Sequence, residues 1–218
     1  MTRPVKYAAG IVMGFVVVII GLLALSGFGS NETSPPVGQG ESQLVHADSH
    51  VPGEKGASDV TFVEFLDFEC EACGAFYPTM ERIRKEYGDE ITVAIRYFPI
   101  PSHTNAQIAA QAVEAAANQG ALEEMYKRMY ETQVEWGESQ DSKEALFVKF
   151  ARDLGLDMGQ FEKDLNAPET VERVKSDQEA GIALGVQGTP TIFFNGEKLR
   201  GMPTYEDLRS RIDAALAQ

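Results

Sequence analysis

Val60-Thr61-Phe62-Val63-Glu64-Phe65-Leu66-Asp67-Phe68-Glu69-Cys70-Glu71-Ala72-Cys73 places an apolar run directly before a close pair of cysteines. Val60 to Asp67 is β-branched and aromatic, which predicts a buried strand. Ala75 to Tyr87 follows with Phe76, Met80, Ile83 and Tyr87 on one helical face, and Gly88 stops it. Pro78 falls inside that stretch and predicts a kink. The cysteines therefore stand at the seam between a strand and a helix. A helix N-terminus presents unpaired N–H groups and a partial positive charge. A thiolate at Cys70 would sit over those donors and titrate below the usual value of about 8.5. Cys73 comes one turn later and faces back, so the two sulfurs can bond and unbond without moving the backbone.

Outward from this seam the pattern repeats once and then changes. Ile91 to Phe98 reads as a second strand, with Val93, Ile95 and Tyr97 alternating against Thr92, Ala94 and Arg96. Helices are then predicted at Ala106 to Asn118, Leu122 to Gln133, Lys143 to Leu154, Gln160 to Leu165 and Glu169 to Leu184. Gly120, Gly137, Gly155 and Pro168 mark the breaks. Strands return at Thr191 to Phe194 and Glu197 to Arg200, joined by the hairpin signal Asn195-Gly196. Tyr205 to Leu216 closes the chain as an amphipathic helix. This order predicts an α/β domain over 59–218, with a central mixed sheet flanked by helices and a helical subdomain inserted at about 104–185.

The 218 residues carry a formal net charge of −14. That argues against nucleic acid, where Lys and Arg must displace counterions, and against an anionic lipid surface. The chain has two cysteines, both in this motif. A pair so close closes a tiny loop and constrains the unfolded chain little, so its use is chemical rather than structural. Zinc would need four ligands, and beyond the cysteines only His46, His50 and His103 are available; no metal is expected.

Residues 1–28 contain an uncharged, mostly apolar run from about Tyr7 to Phe28, long enough to span a bilayer. Arg3 and Lys6 precede it. The expectation is a single-pass membrane anchor with a cytoplasmic N-terminus and an extracytoplasmic domain. A cleaved signal peptide ending near Ala24-Leu25-Ser26 is the alternative. Residues 29–58 are polar and rich in Gly, Ser and Pro, and read as a flexible tether. His46 and His50 lie four apart within it, without helix signals to make them a metal pair.

Gly188-Thr189-Pro190-Thr191 stands directly before a strand, where proline's missing N–H costs least. Taken with Phe65 to Cys73, with Pro99 and His103 to Ala106, and with Gly185 to Gly196, the chain resembles the thioredoxin superfamily, and within it the DsbA-like branch. The resemblance covers about Asp59 to Ala217. It implies a thioredoxin fold and a redox-active Cys70–Cys73 disulfide with no further cofactor. It makes Cys70 the exposed attacking cysteine and Cys73 the buried resolving one. Pro190 becomes a cis-proline facing the disulfide, and Thr189 a residue whose backbone pairs with bound peptide. Glu64 falls where the family often has a buried acid able to relay the Cys73 proton; an exposed strand position is the other reading. His103 matches a recurrent position and reads as a loop or capping residue.

The family's best-known strong oxidant has Pro-His between its cysteines, and here the pair is Glu71-Ala72. Glu71 adds negative charge, which should oppose the helix dipole. A less extreme oxidant is expected, still above thioredoxin in potential. The implied activity is dithiol oxidation of unfolded or reduced secreted proteins, with reoxidation by a membrane quinone-linked partner of the DsbB or VKOR type. A reductase or isomerase using the same residues is the nearest alternative, and a metal carrier or holdase a more distant one. A monomer is the default expectation.

Overall fold

The computed structural model describes residues 44–45 and 49–218. A four-stranded mixed sheet organises the domain. Strand β1 (Thr61–Leu66) pairs in parallel with β2 (Thr92–Tyr97) on one side, and antiparallel with β3 (Thr191–Phe194) on the other. The short β4 (Glu197–Lys198) pairs with β3, giving the order β2-β1-β3-β4. Every residue of β1 after Thr61 is buried, as expected of a parallel strand covered on both faces. Phe62 packs with Phe76, Met80, Ile83, Leu208 and Ile212 on one face. Val63 and Phe65 pack with Ala94, Phe98 and Phe193 on the other.

Helix α1 (Glu71–Tyr87) crosses from β1 to β2 and buries Cys73, Phe76, Met80, Ile83 and Tyr87 at helical spacing. It runs through Pro78, which lies on its exposed side. The helix starts four residues before Ala75. Cys70 caps it and its first turn holds Cys73, a stretch whose composition carries no helical period. At the hairpin, Asn195 and Gly196 adopt φ 45° and φ 83°, the left-handed pair that a two-residue turn requires.

The insertion lies between β2 and β3: α2 (Ala106–Ala117), α3 (Leu122–Glu131), α4 (Gln133–Trp136), α5 (Glu144–Asp153), α6 (Met158–Leu165) and α7 (Pro168–Ala183). Alanines on α2 let α3, α5, α6 and α7 approach closely, so residues 109–116 of α2 are buried all round. Pro168, expected as a break, opens α7, where its missing N–H is harmless. The single helix expected over Leu122 to Gln133 stops at Glu131, and α4 turns Gln133 and Trp136 inward. Helix α8 (Tyr205–Leu216) closes the fold through a capping box between Thr204 and Asp207.

The packed domain begins before Asp59. Leu44 is buried, and its carbonyl accepts from Arg96 Nη1 at 3.1 Å. The Ile95 amide donates to the His50 carbonyl at 2.8 Å. These contacts cover the outer edge of β2 with residues read from sequence as tether. His50 Nε2 lies 2.5 Å from Glu114 Oε2.

The membrane localisation is corrected. Among the described residues no helix is long and apolar enough to cross a membrane. The longest, α1 with 17 residues and α7 with 16, both carry charged faces. The apolar run from Tyr7 to Phe28, the first part of the tether and His46 lie outside the described residues. The single-pass assignment and its cytoplasmic and extracytoplasmic sides are withdrawn.

Candidate active site

Cys70 is the N-cap of α1, with extended backbone, and Cys73 sits in the first turn. The link from β1 is fixed by Asp67. Its Oδ1 accepts from the Glu69 amide at 2.8 Å, and its carbonyl accepts from the Cys70 amide at 3.2 Å. Cys70 is half-buried, Cys73 is buried, and both are free thiols. Phe65 of β1 is paired with Thr191 of β3, which carries the preceding loop to the same end of the sheet. There the Thr189–Pro190 peptide is cis. The Cys70 thiol donates to the Thr189 carbonyl at 3.4 Å.

The two cysteines are driven apart electrostatically. Cys70 is lowered from 9.0 to about 5, first by a hydrogen bond from the Cys73 thiol. Partial burial opposes this, while the Thr189 hydroxyl and the backbone N–H groups of Cys73 and Ala72 add to it. Thr189 Oγ1 is enclosed and without another hydrogen-bond partner, and a thiolate at Cys70 offers it an acceptor. Cys73 is pushed well above 9.0, first by burial, then by its hydrogen bond to Cys70 and by the negative charges of Glu64 and Cys70. A backbone hydrogen bond from Asp67 pulls it weakly back.

Glu64 sits in the middle of β1, between Ile95 and Ile192, and is 3% exposed. It is not the exposed strand position that the sequence left open. Burial, reinforced by the Cys70 thiolate, raises it from 4.5 to about 8. The arrangement is one stabilised thiolate, one retained thiol and one buried acid that can hold or release a proton near neutral pH.

Glu71 and Ala72 are both exposed. Ala72 acts through its backbone N–H, and Glu71 is not among the leading influences on Cys70. Glu71 instead lines a cleft of about 240 Å³ with Glu69, Gln133, Val134 and Glu138. A larger cleft, about 410 Å³, lies beside Thr61 and Thr92 at the opposite end of the strands.

Several residues that sequence reasoning missed hold this turn in place. Gln133 Nε2 donates to the carbonyls of Phe68 at 2.7 Å and Cys70 at 2.9 Å. The Asn105 amide donates to Glu69 Oε2 at 2.6 Å, while Asn105 Oδ1 accepts from the Lys143 amide at 2.8 Å. His103, read as a loop or capping residue, places Nδ1 2.7 Å from Asp67 Oδ2. The Ile100 amide donates to that same oxygen at 2.9 Å. Gly74, outside the helix expected from Ala75, falls inside α1 and leaves the room that the Gln133 amide fills.

The sequence model of the family described as Thioredoxin matches residues 46–214. Among curated proteins, the Na(+)/H(+) antiporter NhaA of Herminiimonas arsenicoxydans is 35% identical over 156 residues, covering 70% of this chain and 23% of that protein. The chain spans about a quarter of the length of the curated relatives it matches. Among solved structures, a thioredoxin-like oxidoreductase from Silicibacter pomeroyi DSS-3 superposes with a TM-score of 0.67 at 25% identity, covering 81% of this chain and 98% of that one. The thiol-disulfide exchange protein alpha-DsbA2 from Wolbachia pipientis superposes with a TM-score of 0.69 at 20% identity, covering 82% and 93%.

Proposed function

This chain belongs to the thioredoxin family, and we propose that it is a DsbA-like protein disulfide oxidoreductase that works as a dithiol oxidase, passing its Cys70–Cys73 disulfide to client proteins. The observation that carries this reading is the opposite displacement of the two thiols, Cys70 down to about 5 and Cys73 well above 9.0. A disulfide is a strong oxidant when its reduced form is stabilised. A Cys70 thiolate held by Cys73, Thr189 and two backbone N–H groups stabilises the reduced form.

In the proposed cycle a client thiolate attacks Cys70 Sγ of the disulfide. The client–Cys70 bond forms, the Cys70–Cys73 bond breaks, and Cys73 leaves with the electron pair. Neutral Glu64 supplies the proton that Cys73 takes up. A second client thiolate then attacks the client sulfur of the mixed disulfide, and Cys70 leaves as a stable thiolate. The client loses two electrons and the pair gains them. Thr189 and Pro190 receive the client backbone beside Cys70. Return to the disulfide needs a two-electron acceptor, for which a quinone-linked protein of the DsbB or VKOR type is the expected class.

The test uses the full chain in its oxidised form and a reduced, unfolded client with two cysteines. Stoichiometric appearance of the client disulfide, with matching loss of the Cys70–Cys73 disulfide, is expected. No transfer from the oxidised form, with efficient reduction of a client disulfide by the reduced form, would reverse the assigned direction.

A further inference from the structure

We infer that Gln133 is a positioning residue through which the helical insertion sets the reactivity of Cys70. The inference rests on the reading of Cys70 as the attacking thiolate.

The first observation is Gly74. It lies within α1, outside the positive-φ glycines, at a place where glycine costs about 1 kcal/mol relative to alanine. Its reason is steric. A Cβ on Gly74 would lie 1.9 Å from Gln133 Oε1 and 2.8 Å from Gln133 Cδ. The glycine lets the side-chain amide lie flat against the first turn of α1.

The second observation is what that amide does. One NH₂ group serves two carbonyls, Phe68 at 2.7 Å and Cys70 at 2.9 Å, on either side of the bend that ends β1 and starts α1. The Cys70 carbonyl also accepts from the Gly74 amide at 3.1 Å, the opening bond of the helix. Phe68 is 1% exposed and Gln133 is 8% exposed, so water cannot readily replace the side chain. The residue that carries the thiolate is thus held by the helix on one side and by the insertion on the other.

The third observation is how Gln133 is itself held. It opens α4, which is anchored by Trp136. The Trp136 ring meets Phe147 edge-on at 4.9 Å between centroids, and its indole N–H donates to the Met129 carbonyl at 3.3 Å. The core of the insertion therefore fixes the amide.

The consequence concerns the N–H groups of Ala72 and Cys73, which stabilise the thiolate only while the first turn keeps them aimed at the sulfur. Without Gln133 the Phe68 carbonyl loses its donor and the bend relaxes. A purely structural role would lower stability and leave the chemistry of folded Cys70 unchanged.

The experiment compares the full chain with Q133L, Q133M and G74A. Q133M keeps the length, removes the donor and adds no charge beside Cys70, so it covers failure of Q133L to fold. In folded, reduced protein, the thiolate absorbance of Cys70 is titrated and its alkylation rate measured at mildly acidic pH. The equilibrium constant with glutathione is measured on the same proteins. We expect alkylation to fall about tenfold in all three variants and the equilibrium constant to fall about tenfold, or about 30 mV. In a Q133A background, G74A should add nothing, because no amide remains to displace. Folded variants that titrate and equilibrate like the parent overturn the inference. A parent whose Cys70 titrates as an ordinary thiol overturns the proposed function instead.

Discussion

The sheet half and the inserted half of this domain are built from different materials and do different work. Strands β1 to β4 with α1 and the cis-proline loop supply every group proposed to take part in the exchange: Glu64, Cys70, Cys73, Thr189 and Pro190. The insertion, packed around alanine-rich α2, supplies amide groups that hold the backbone and side chains of the bend, through Gln133 and Asn105. The difference teaches that reactivity and alignment come from separate elements. Each can be substituted on its own, and loss of the alignment is expected to lower the reactivity.

The largest effects should come from the sheet half. Cys70→Ser should abolish exchange. Cys73→Ala, loaded at Cys70 as a mixed disulfide with glutathione, should release glutathione to an attacking client thiolate and hold the client as a lasting mixed disulfide, visible on non-reducing gels. Failure of the second variant to form adducts would remove Cys70 from the attacking role.

Glu64→Gln comes next. Loss of the proton relay should slow resolution by about a hundredfold, read by stopped-flow mixing. It also has a stability signature. A carboxyl raised from 4.5 to about 8 contributes stability that is complete below 4.5 and is lost as pH rises through about 8. E64Q removes that loss, so the variant should gain on the parent as pH rises from 4.5 to about 8, and hold that gain above it, in chemical denaturation. Cys70 has the opposite sign. Its contribution to the reduced protein is complete above 9.0 and is lost as pH falls through about 5. The advantage of reduced parent over C70S should therefore shrink across that window.

Asn105→Ala sharpens the comparison from the other side. It removes the side-chain bonds to the carbonyls of Ser139 and Asp141 and from the Lys143 amide, while its own backbone bond to Glu69 can persist. A loss of about 1–3 kcal/mol in stability is expected, with little change in Cys70 titration. The smallest effect is expected for Glu71→Gln, since the exposed carboxylate is screened by water. A Cys70 titration moved as far as by Q133L would show that the dipeptide between the cysteines outweighs the clamp.

Much of the sheet half was legible because its signals are local. The unbroken apolar run of β1, the period of Phe76, Met80, Ile83 and Tyr87, and Asn195-Gly196 each state their structure in a few residues. Glu64 was legible only by its place in a family pattern; its burial depends on β2, β3 and α1 closing over it. The start of α1 was not legible, because Cys70 caps it without a side-chain hydrogen bond. Gln133 was hidden for a different reason. Its partners lie 65 and 63 residues earlier, and no periodicity encodes a contact across that distance. The edge contacts of Leu44 and His50 were missed because a stretch pairing at one bridge carries no strand pattern.

The central claim is that the fold stabilises the reduced pair by holding Cys70 as a thiolate, and so makes the disulfide an oxidant. Its most direct test is the reduction potential of Cys70–Cys73 in the full chain, measured by equilibration with glutathione. A value above that of thioredoxin, about −270 mV, and toward that of DsbA, about −120 mV, is expected. A value at or below thioredoxin's would contradict it.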